Sequence, residues 1–189
     1  MRVAVAGSHN TGKSTLIAAF LERRPEYVHE PEAYEALADD VDLTSSEGPT
    51  LDGLASLLQY TMSVVASQAP GTRVIFERSP VDYLAYAAAS RAAGTSRSSV
   101  AAFLDAHALE VRASVRHLDL IVLLPVSSQG PFISRADEDD RFRKRVDERL
   151  RRALIDDECD LFDGDRPTIV ELSPLPERQL LDLIRLTEY

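Results

Sequence analysis

The stretch RVAVAGSHNTGKST, residues 2–15, decides the fold class. After Arg2, residues 3–6 form a short run of valine and alanine, which favours a buried strand. The apolar spacing after Gly12 indicates a helix. Between them, GSHNTGKS at residues 7–14 matches every fixed position of G-x-x-x-x-G-K-[ST]. A chance match in a tight turn is the alternative, and the strand before the motif and the helix after it argue against that alternative.

This motif predicts a loop that binds phosphate. Its glycines let successive N–H groups turn inward, and the helix N-terminus adds a partial positive charge. Lys13 is expected to reach the β- and γ-phosphates, and the Ser14 hydroxyl to ligate Mg²⁺. We therefore predict a bound nucleoside triphosphate and Mg²⁺; the motif alone does not distinguish ATP from GTP. The predicted nucleotide-binding residues are Gly7, Asn10, Thr11, Gly12, Lys13, Ser14 and Thr15.

The lysine content supports this interpretation of the loop. Among 21 basic residues only Lys13 and Lys144 are lysines. A compact ammonium group fits inside a ring of amides where a guanidinium fork does not.

The rest of the chain alternates strand and helix patterns, which predicts a parallel, doubly wound α/β sheet. We expect one domain over residues 1–189, since that length is typical of a single domain. The expected strands cover residues 2–6, 26–30, 73–76, 119–124 and 168–171; the expected helices cover residues 12–24, 51–69, 80–93, 98–118, 139–157 and 176–186.

Composition excludes several classes of protein. A formal net charge of −10 argues against nucleic-acid and anionic-membrane binding, because phosphate would repel the chain. No apolar run approaches the ~20 residues of a membrane span. Cys159 is the only cysteine, so neither an intrachain disulfide nor a cysteine-rich zinc site is expected.

We expect a cytoplasmic protein. The four histidines show no metal spacing, and His29 is expected at the surface of a strand end.

The rest of the chain must distinguish among switch GTPases, motor or AAA-type ATPases, and small-molecule kinases. No Asn-Lys-x-Asp motif follows a late strand, which argues against a GTPase. The chain is also too short for an AAA module with its helical subdomain.

Residues 77–86, ERSPVDYLAY, resemble the Asp/Glu-Arg-Ser segment of the deoxynucleoside kinases. The longer pattern R-S-P-x-D-x-x-A-Y is similar to the NadR-type kinase domains that phosphorylate nicotinamide riboside, and to their AAA domain relatives. EPE at residues 30–32 is similar to the acidic strand end of nucleoside kinases, and residues 120–125 with Arg135, Phe142 and Arg143 are similar to their lid. Where relatives have a glycine turn before the first lid arginine, this chain has Ile133 and Ser134.

The resemblance implies a nucleoside/nucleotide-kinase fold with an acceptor-binding insert at about residues 31–70 and a helical lid at about residues 127–145. Glu30 would be the general base, with Glu32 as a second candidate and a capping carboxylate as the alternative. Glu77 would hold Mg²⁺ with Ser14, unless it forms a structural pair with Arg24.

The resemblance also implies roles for three further residues. Arg78 would orient the base or contact the substrate; the alternative is an internal ion pair. Asp82 would bind ribose hydroxyls, or would be an acid in the first turn of its helix. Tyr34, like Tyr60, would stack on a base, or would belong to the core.

Charge distribution bears on the acceptor. No lysine or arginine lies between Arg24 and Arg73, whereas nine acids do: Glu26, Glu30, Glu32, Glu35, Asp39, Asp40, Asp42, Glu47 and Asp52. An acceptor that already carries phosphate needs cations there. The sequence therefore favours a neutral or cationic hydroxyl compound, and a solvated acidic loop is the alternative.

The lid region is rich in arginine. Resemblance favours Arg135 and Arg143 as the residues that close on the phosphates. Arg141 and Arg145 are favoured instead because they share a stripe of like charge that an anion would neutralise. A surface helix of ion pairs is the alternative, with Asp140–Lys144, Asp147–Arg151 and Glu148–Arg152 among the expected i,i+4 pairs. The resemblance places adenine contacts in the lid and near residues 173–175.

Together these features predict a kinase that transfers the γ-phosphoryl group of ATP to a nucleoside or to nicotinamide riboside. Two alternatives stay open: a kinase acting on a monophosphate or another metabolite, and a regulatory ATP-binding protein with little turnover. The sequence also leaves open a homodimer.

Overall fold

A computed structural model describes residues 1–37, 49–90, 95–126, 137–162 and 167–188, without the side chains of residues 137–139. Its strands are β1 (Arg2–Ala6), β2 (Val28–Glu30), β3 (Val74–Glu77), β4 (Leu120–Leu123) and β5 (Thr168–Glu171). Its helices are α1 (Lys13–Arg23), α2 (Ala33–Leu37), α3 (Leu51–Ser67), α4 (Pro80–Ala89), α5 (Arg97–Val115), α6 (Asp137–Leu154) and α7 (Pro176–Leu186).

The five strands form one parallel sheet in the order β2-β3-β1-β4-β5. This arrangement confirms the predicted parallel α/β sheet. Central β1 pairs with β3 on one side and β4 on the other, so the chain leaves β1 at the point where the strand order reverses. Open α/β sheets bind ligands at this point, outside the carboxyl ends of the strands.

Alternate residues of β1 supply two separate cores. Val3 and Val5 pack in the cluster that contains Leu16 and Ile17 of α1, on one face of the sheet. Ala4 and Ala6 face the other cluster, built mainly from α3, α4, α5 and α6. Because both faces are covered, β1 and β4 are buried along their whole length, and apart from Arg2 their residues are apolar.

Helix α4 lies in the middle of the larger cluster, and nearly all of its residues are buried. Its N-terminus is fixed by Pro80 in the first turn and by a capping box between Ser79 and Asp82. The helix ends at Ala89, four residues earlier than predicted, since Ser90 has an extended backbone (φ −61°, ψ 141°). The first turn of α4 is thereby held against the end of β3.

Two other elements begin two residues away from their predicted starts, and several helices end earlier than predicted. Strand β2 begins at Val28 and not at residue 26, because a turn bonds the Tyr27 amide to the Arg24 carbonyl oxygen (3.1 Å). Helix α6 covers Asp137–Leu154 and begins two residues earlier than expected. In the described part of the chain, no helix combines the length and apolar character that crossing a membrane requires.

Candidate functional site

The GSHNTGKS loop connects β1 to α1 and wraps around the Lys13 ammonium group. Lys13 Nζ donates a 2.7 Å hydrogen bond to the Ser8 carbonyl oxygen, and Thr11 Oγ1 donates one of 2.9 Å to the same oxygen. Gly12 has φ 93°, a left-handed conformation that glycine adopts at little cost. The loop is therefore closed by its own side chains at the start of α1.

Gly7 is required for a different reason, the close approach of β4. A Cβ atom at this position would lie 2.9 Å from the Leu124 carbonyl oxygen. Leu124 in turn donates its amide to the Ala6 carbonyl oxygen at 2.8 Å, which fixes that backbone in place. Any side chain at position 7 would push the loop off the sheet.

Lys13 is almost completely buried. Burial, together with the neighbouring Arg78 guanidinium group, lowers the pKa of Lys13 from 10.5 to about 7. An anion in the loop would restore the charged form. The loop thus has the electrostatic character of a phosphate site.

Ser14 and Glu77 meet at the mouth of the loop. Ser14 Oγ donates a 2.7 Å hydrogen bond to Glu77 Oε1, across 63 residues of sequence. A hydroxyl and a carboxylate are hard oxygen ligands, so this pair fits Mg²⁺. Glu77 does not pair with Arg24, which binds Glu26 instead at 2.8 Å.

Arg78 is buried and has a left-handed backbone (φ 80°), which is uncommon for a non-glycine residue. Its Nη1 donates a 2.9 Å hydrogen bond to the Gly7 carbonyl oxygen, and its Nε donates to Glu32 Oε1. The guanidinium group also lies 4.8 Å from the centre of the Tyr86 ring. Arg78 therefore connects the phosphate loop to the acidic segment after β2.

Asp82 lies in the first turn of α4, the alternative to ribose binding that was left open for it. Its side chain is completely buried and both of its oxygens accept hydrogen bonds from the protein. Oδ1 accepts from the Gly7 amide (3.0 Å), and Oδ2 accepts from the Ser79 amide and hydroxyl (2.8 Å each). Asp82 therefore attaches the start of α4 to the loop.

The two candidate bases lie at the carboxyl end of β2. Glu30 is half-buried beside Phe76 of β3 in the strand register. Glu32 accepts from Arg78; burial alone would raise the pKa of Glu32, but the Arg78 guanidinium outweighs it and holds that pKa below its usual range. Tyr34 is partly buried and packs against the larger core.

Of the predicted lid arginines, Arg143 lies at the loop. It is buried; its Nη1 donates to the Asn10 carbonyl oxygen at 3.3 Å and its Nη2 to Asp140 at 2.8 Å. Arg135 lies outside the described residues. Arg141 is exposed, and Arg145 lies over the Phe142 ring.

The expected ion pairs of α6 are present only in part. Asp140–Lys144 and Glu148–Arg152 form, each at 2.7 Å. Arg151 pairs with Glu171 of β5 instead of Asp147, and Asp147 accepts from the Val126 amide (2.9 Å). These two contacts attach α6 to the carboxyl edge of the sheet.

A pocket of about 240 Å³ adjoins the loop on the α1 side. Its walls come from the loop, α1, α6 and the start of α7, and include Asn10, Gly12, Thr15, Arg143, Pro176 and Gln179. The Gln179 amide group donates to the Ser173 carbonyl oxygen (3.0 Å), which links this wall to the segment expected to contact adenine.

Comparison with known proteins identifies the family of the chain. Residues 2–163 match the family model described as AAA domain. The chain belongs to the AAA domain family. The match covers the phosphate loop, Glu30, Glu32, Glu77, Arg78, Asp82 and Arg143, and it ends before β5 and α7. No curated protein matches the sequence.

Among solved structures, this AAA domain protein is similar to deoxyadenosine kinase from M. mycoides with bound dATP: TM-score 0.62, 13% identity, and 100% of each chain covered. It is equally similar (TM-score 0.62, 13% identity) to the same enzyme with products dCMP and a flexible dCDP bound, over 98% of this chain and 97% of that one. These similarities confirm the predicted P-loop kinase fold. The NadR-type subgroup stays a prediction.

Sequence reasoning missed two residues of the AAA domain site. Tyr86 accepts a 2.8 Å hydrogen bond from the His9 amide of the loop, and its ring contacts Phe142 of α6 (centroids 5.8 Å apart). About a third of the His29 side chain is exposed at the strand end, as expected, but its Nε2 atom is buried near Glu77. The Tyr86 position lies in the quoted ERSPVDYLAY segment, and His29 directly precedes the expected base.

Proposed function

We propose that this protein is an ATP- and Mg²⁺-dependent kinase that transfers the γ-phosphoryl group to a hydroxyl of a nucleoside-like acceptor, a nucleoside or nicotinamide riboside. The observation that carries the proposal is the Ser14–Glu77 hydrogen bond beside the buried Lys13. That contact joins the helix after the loop to a neighbouring strand end, where a phosphate and its cation meet in kinases. The shared fold of deoxyadenosine kinase supports it.

The loop and α6 would bind the phosphates of the nucleotide. Loop amides and Lys13 would bind the β- and γ-phosphates, with Arg143 closing from α6. Mg²⁺, held by Ser14 and Glu77, neutralises charge on the phosphate oxygens when bound. The pocket bounded by Thr15 and Gln179 has room beside the loop for part of the nucleotide. Arg135 belongs to the same proposal as a lid residue.

The carboxylates at the end of β2 and just after it would bind the acceptor. The acceptor hydroxyl would give its proton to Glu30, or to Glu32, as its oxygen bonds to the γ-phosphorus and the bond to the β-phosphate oxygen breaks. Arg78 would orient this base, and for Glu32 it already provides a direct ion pair. Tyr34 would contact the acceptor beside them.

The negative charge of the segment after β2 favours an acceptor that carries no phosphate. Among the described residues after Arg24 and before Arg73, every charged side chain is a carboxylate or a histidine. A second phosphate would be repelled there, whereas a neutral sugar or a pyridinium cation would not. A nucleoside or nicotinamide riboside therefore fits better than a monophosphate.

Two glutamine variants test the proposal. Glu30→Gln and Glu32→Gln each remove one candidate base, and Glu22→Gln, exposed on α1, is the matched control. Single-turnover ADP formation and nucleotide affinity would be measured for all three. The variant lacking the true base should lose about 10²–10⁴-fold in rate with its nucleotide affinity unchanged.

Other outcomes contradict the proposal. Wild-type protein that binds ATP but forms no ADP with any hydroxyl compound would be a regulatory binding module. Unchanged rates in both variants would remove the acidic segment from the reaction.

A further inference from the structure

His29 has an unsatisfied group at the mouth of the phosphate loop. Its Nε2 atom is buried and has no hydrogen-bond partner among the described residues. The nearest acidic atom is Glu77 Oε2 at 3.9 Å, which is too long for a hydrogen bond. Buried polar atoms in proteins are nearly always satisfied, so this nitrogen indicates a missing partner.

Strand register places His29 on the same side of the sheet as the proposed cation ligands. His29 lies opposite Ile75 in the β2–β3 pairing, and Glu77 follows two residues later on the same face. Ile75 packs in the cluster formed with α1, the helix that carries Ser14. His29, Glu77 and Ser14 therefore converge from three different elements.

These three side chains offer complementary donors. Glu77 Oε1 accepts the hydrogen bond from the Ser14 hydroxyl, whereas Glu77 Oε2 is the oxygen nearer to His29. An imidazole nitrogen and a carboxylate oxygen separated by 3.9 Å can both bind one ion at ordinary ligand distances of about 2.0–2.2 Å. The described residues bring no three His, Cys, Asp or Glu side chains together, so phosphate oxygens would have to complete the ligand set.

We propose that His29 Nε2 is a third protein ligand for the divalent cation of the bound nucleotide. This inference rests on the proposed nucleotide site. Imidazole is a poor ligand for Mg²⁺ and a better one for later first-row cations. The site is thus predicted to hold Mn²⁺ or Co²⁺ more tightly, relative to Mg²⁺, than an all-oxygen site does.

Pulsed electron paramagnetic resonance of Mn²⁺ tests the contact directly. The protein would be labelled with ¹⁵N in histidine only and saturated with ADP and Mn²⁺, so that adenine nitrogen contributes no ¹⁵N signal. Wild-type protein should show ¹⁵N modulation. His29→Gln should lose it, whereas His107→Gln, on distant α5, should keep it. Bound Mn²⁺–ADP without ¹⁵N modulation in the wild type would overturn the inference while leaving the nucleotide site intact.

Cation affinities give a second readout. Calorimetry of the ADP-loaded protein should show Mn²⁺ affinity falling by about 10-fold or more in His29→Gln, with Mg²⁺ affinity far less affected. Equal losses for both cations would contradict ligation by His29. Failure of ADP to bind at any cation concentration would overturn both this inference and the proposed function.

Discussion

The Gly7 amide donates a 3.0 Å hydrogen bond to Asp82 Oδ1, although 75 residues separate the two. The Gly7 carbonyl oxygen at the same time accepts from Arg78 Nη1 at 2.9 Å. Arg78 Nη1 also lies 3.5 Å from Asp82 Oδ1. The amide and the carbonyl oxygen of Gly7 are therefore both held by the buried segment that leads into and begins α4.

Replacing Asp82 should destabilise the fold. In Asp82→Ala, Arg78 would lose one of its two acidic partners, and the Gly7 and Ser79 amides would lose their acceptor. We expect the free energy of unfolding to fall by about 3–5 kcal/mol, the range for breaking a buried charge pair. Chemical denaturation would measure it. Asp105→Ala, exposed on α5, should change it by less than about 0.5 kcal/mol. A small loss in Asp82→Ala would mean that the loop is held elsewhere.

Gly7→Ala should damage the loop specifically. The new Cβ would lie 2.9 Å from the Leu124 carbonyl oxygen, and backbone must move to relieve that contact. Nucleotide affinity, measured by calorimetry, is expected to fall by at least about tenfold, or 1.4 kcal/mol. Gly71→Ala is the matched control. Its Cβ would meet nothing within 4 Å, so only its left-handed backbone (φ 86°) is penalised and nucleotide affinity should not change.

Nucleotide binding should weaken above neutral pH. In the free protein the pKa of Lys13 is lowered to about 7, so its ammonium group loses a proton as the pH rises through that value. A bound phosphate requires the charged form, and binding at higher pH must therefore take up a proton. Between pH 7.5 and 9, ADP affinity should fall by up to about tenfold per pH unit.

Calorimetry in buffers of different ionisation enthalpy measures that proton uptake. The exposed Lys144 provides a control, since Lys144→Met should keep the same slope. An ADP affinity that stays flat across this range would show that Lys13 is already fully charged in the free protein.

Two lid arguments made different predictions, and a pair of arginine variants separates them. Arg143 donates to the Asn10 carbonyl oxygen of the loop, whereas Arg141 is exposed on the same helix. Arg143→Ala should lower kcat by about 10²-fold or more through lost stabilisation of the transferring group, and Arg141→Ala by little. Steady-state kinetics with saturating ATP would show this. A larger loss of kcat in Arg141→Ala than in Arg143→Ala would favour the stripe of like charge, which selects Arg141, over the family resemblance, which selects Arg143.

The sequence predicted the parts of the site that follow from strand and helix rules. The motif fixed the loop between β1 and α1, and the apolar run before Glu77 placed that acid at the end of a buried strand beside Ser14. Both expectations depend on local patterns that survive folding. The parallel α/β sheet agreed with prediction because alternating strands and helices allow few arrangements.

The sequence could not predict contacts that depend on local backbone geometry. Arg78 has a left-handed φ that nothing in its residue type announces, and this turns its side chain toward Glu32 and Gly7. Asp82 suits an exposed first turn as well as a buried one, so only the packing of α4 decides its role. His29 became interpretable only through the register that places it beside Glu77.

The central claim is phosphoryl transfer to a hydroxyl compound without a phosphate of its own. The most direct measurement is coupled ADP release with ATP and Mg²⁺ across deoxynucleosides, nicotinamide riboside and the matching monophosphates, with each product identified by mass. We predict ADP release and a product one phosphoryl group heavier for at least one compound that lacks phosphate. ADP release only with monophosphates, or at a rate that no acceptor changes, would contradict the account.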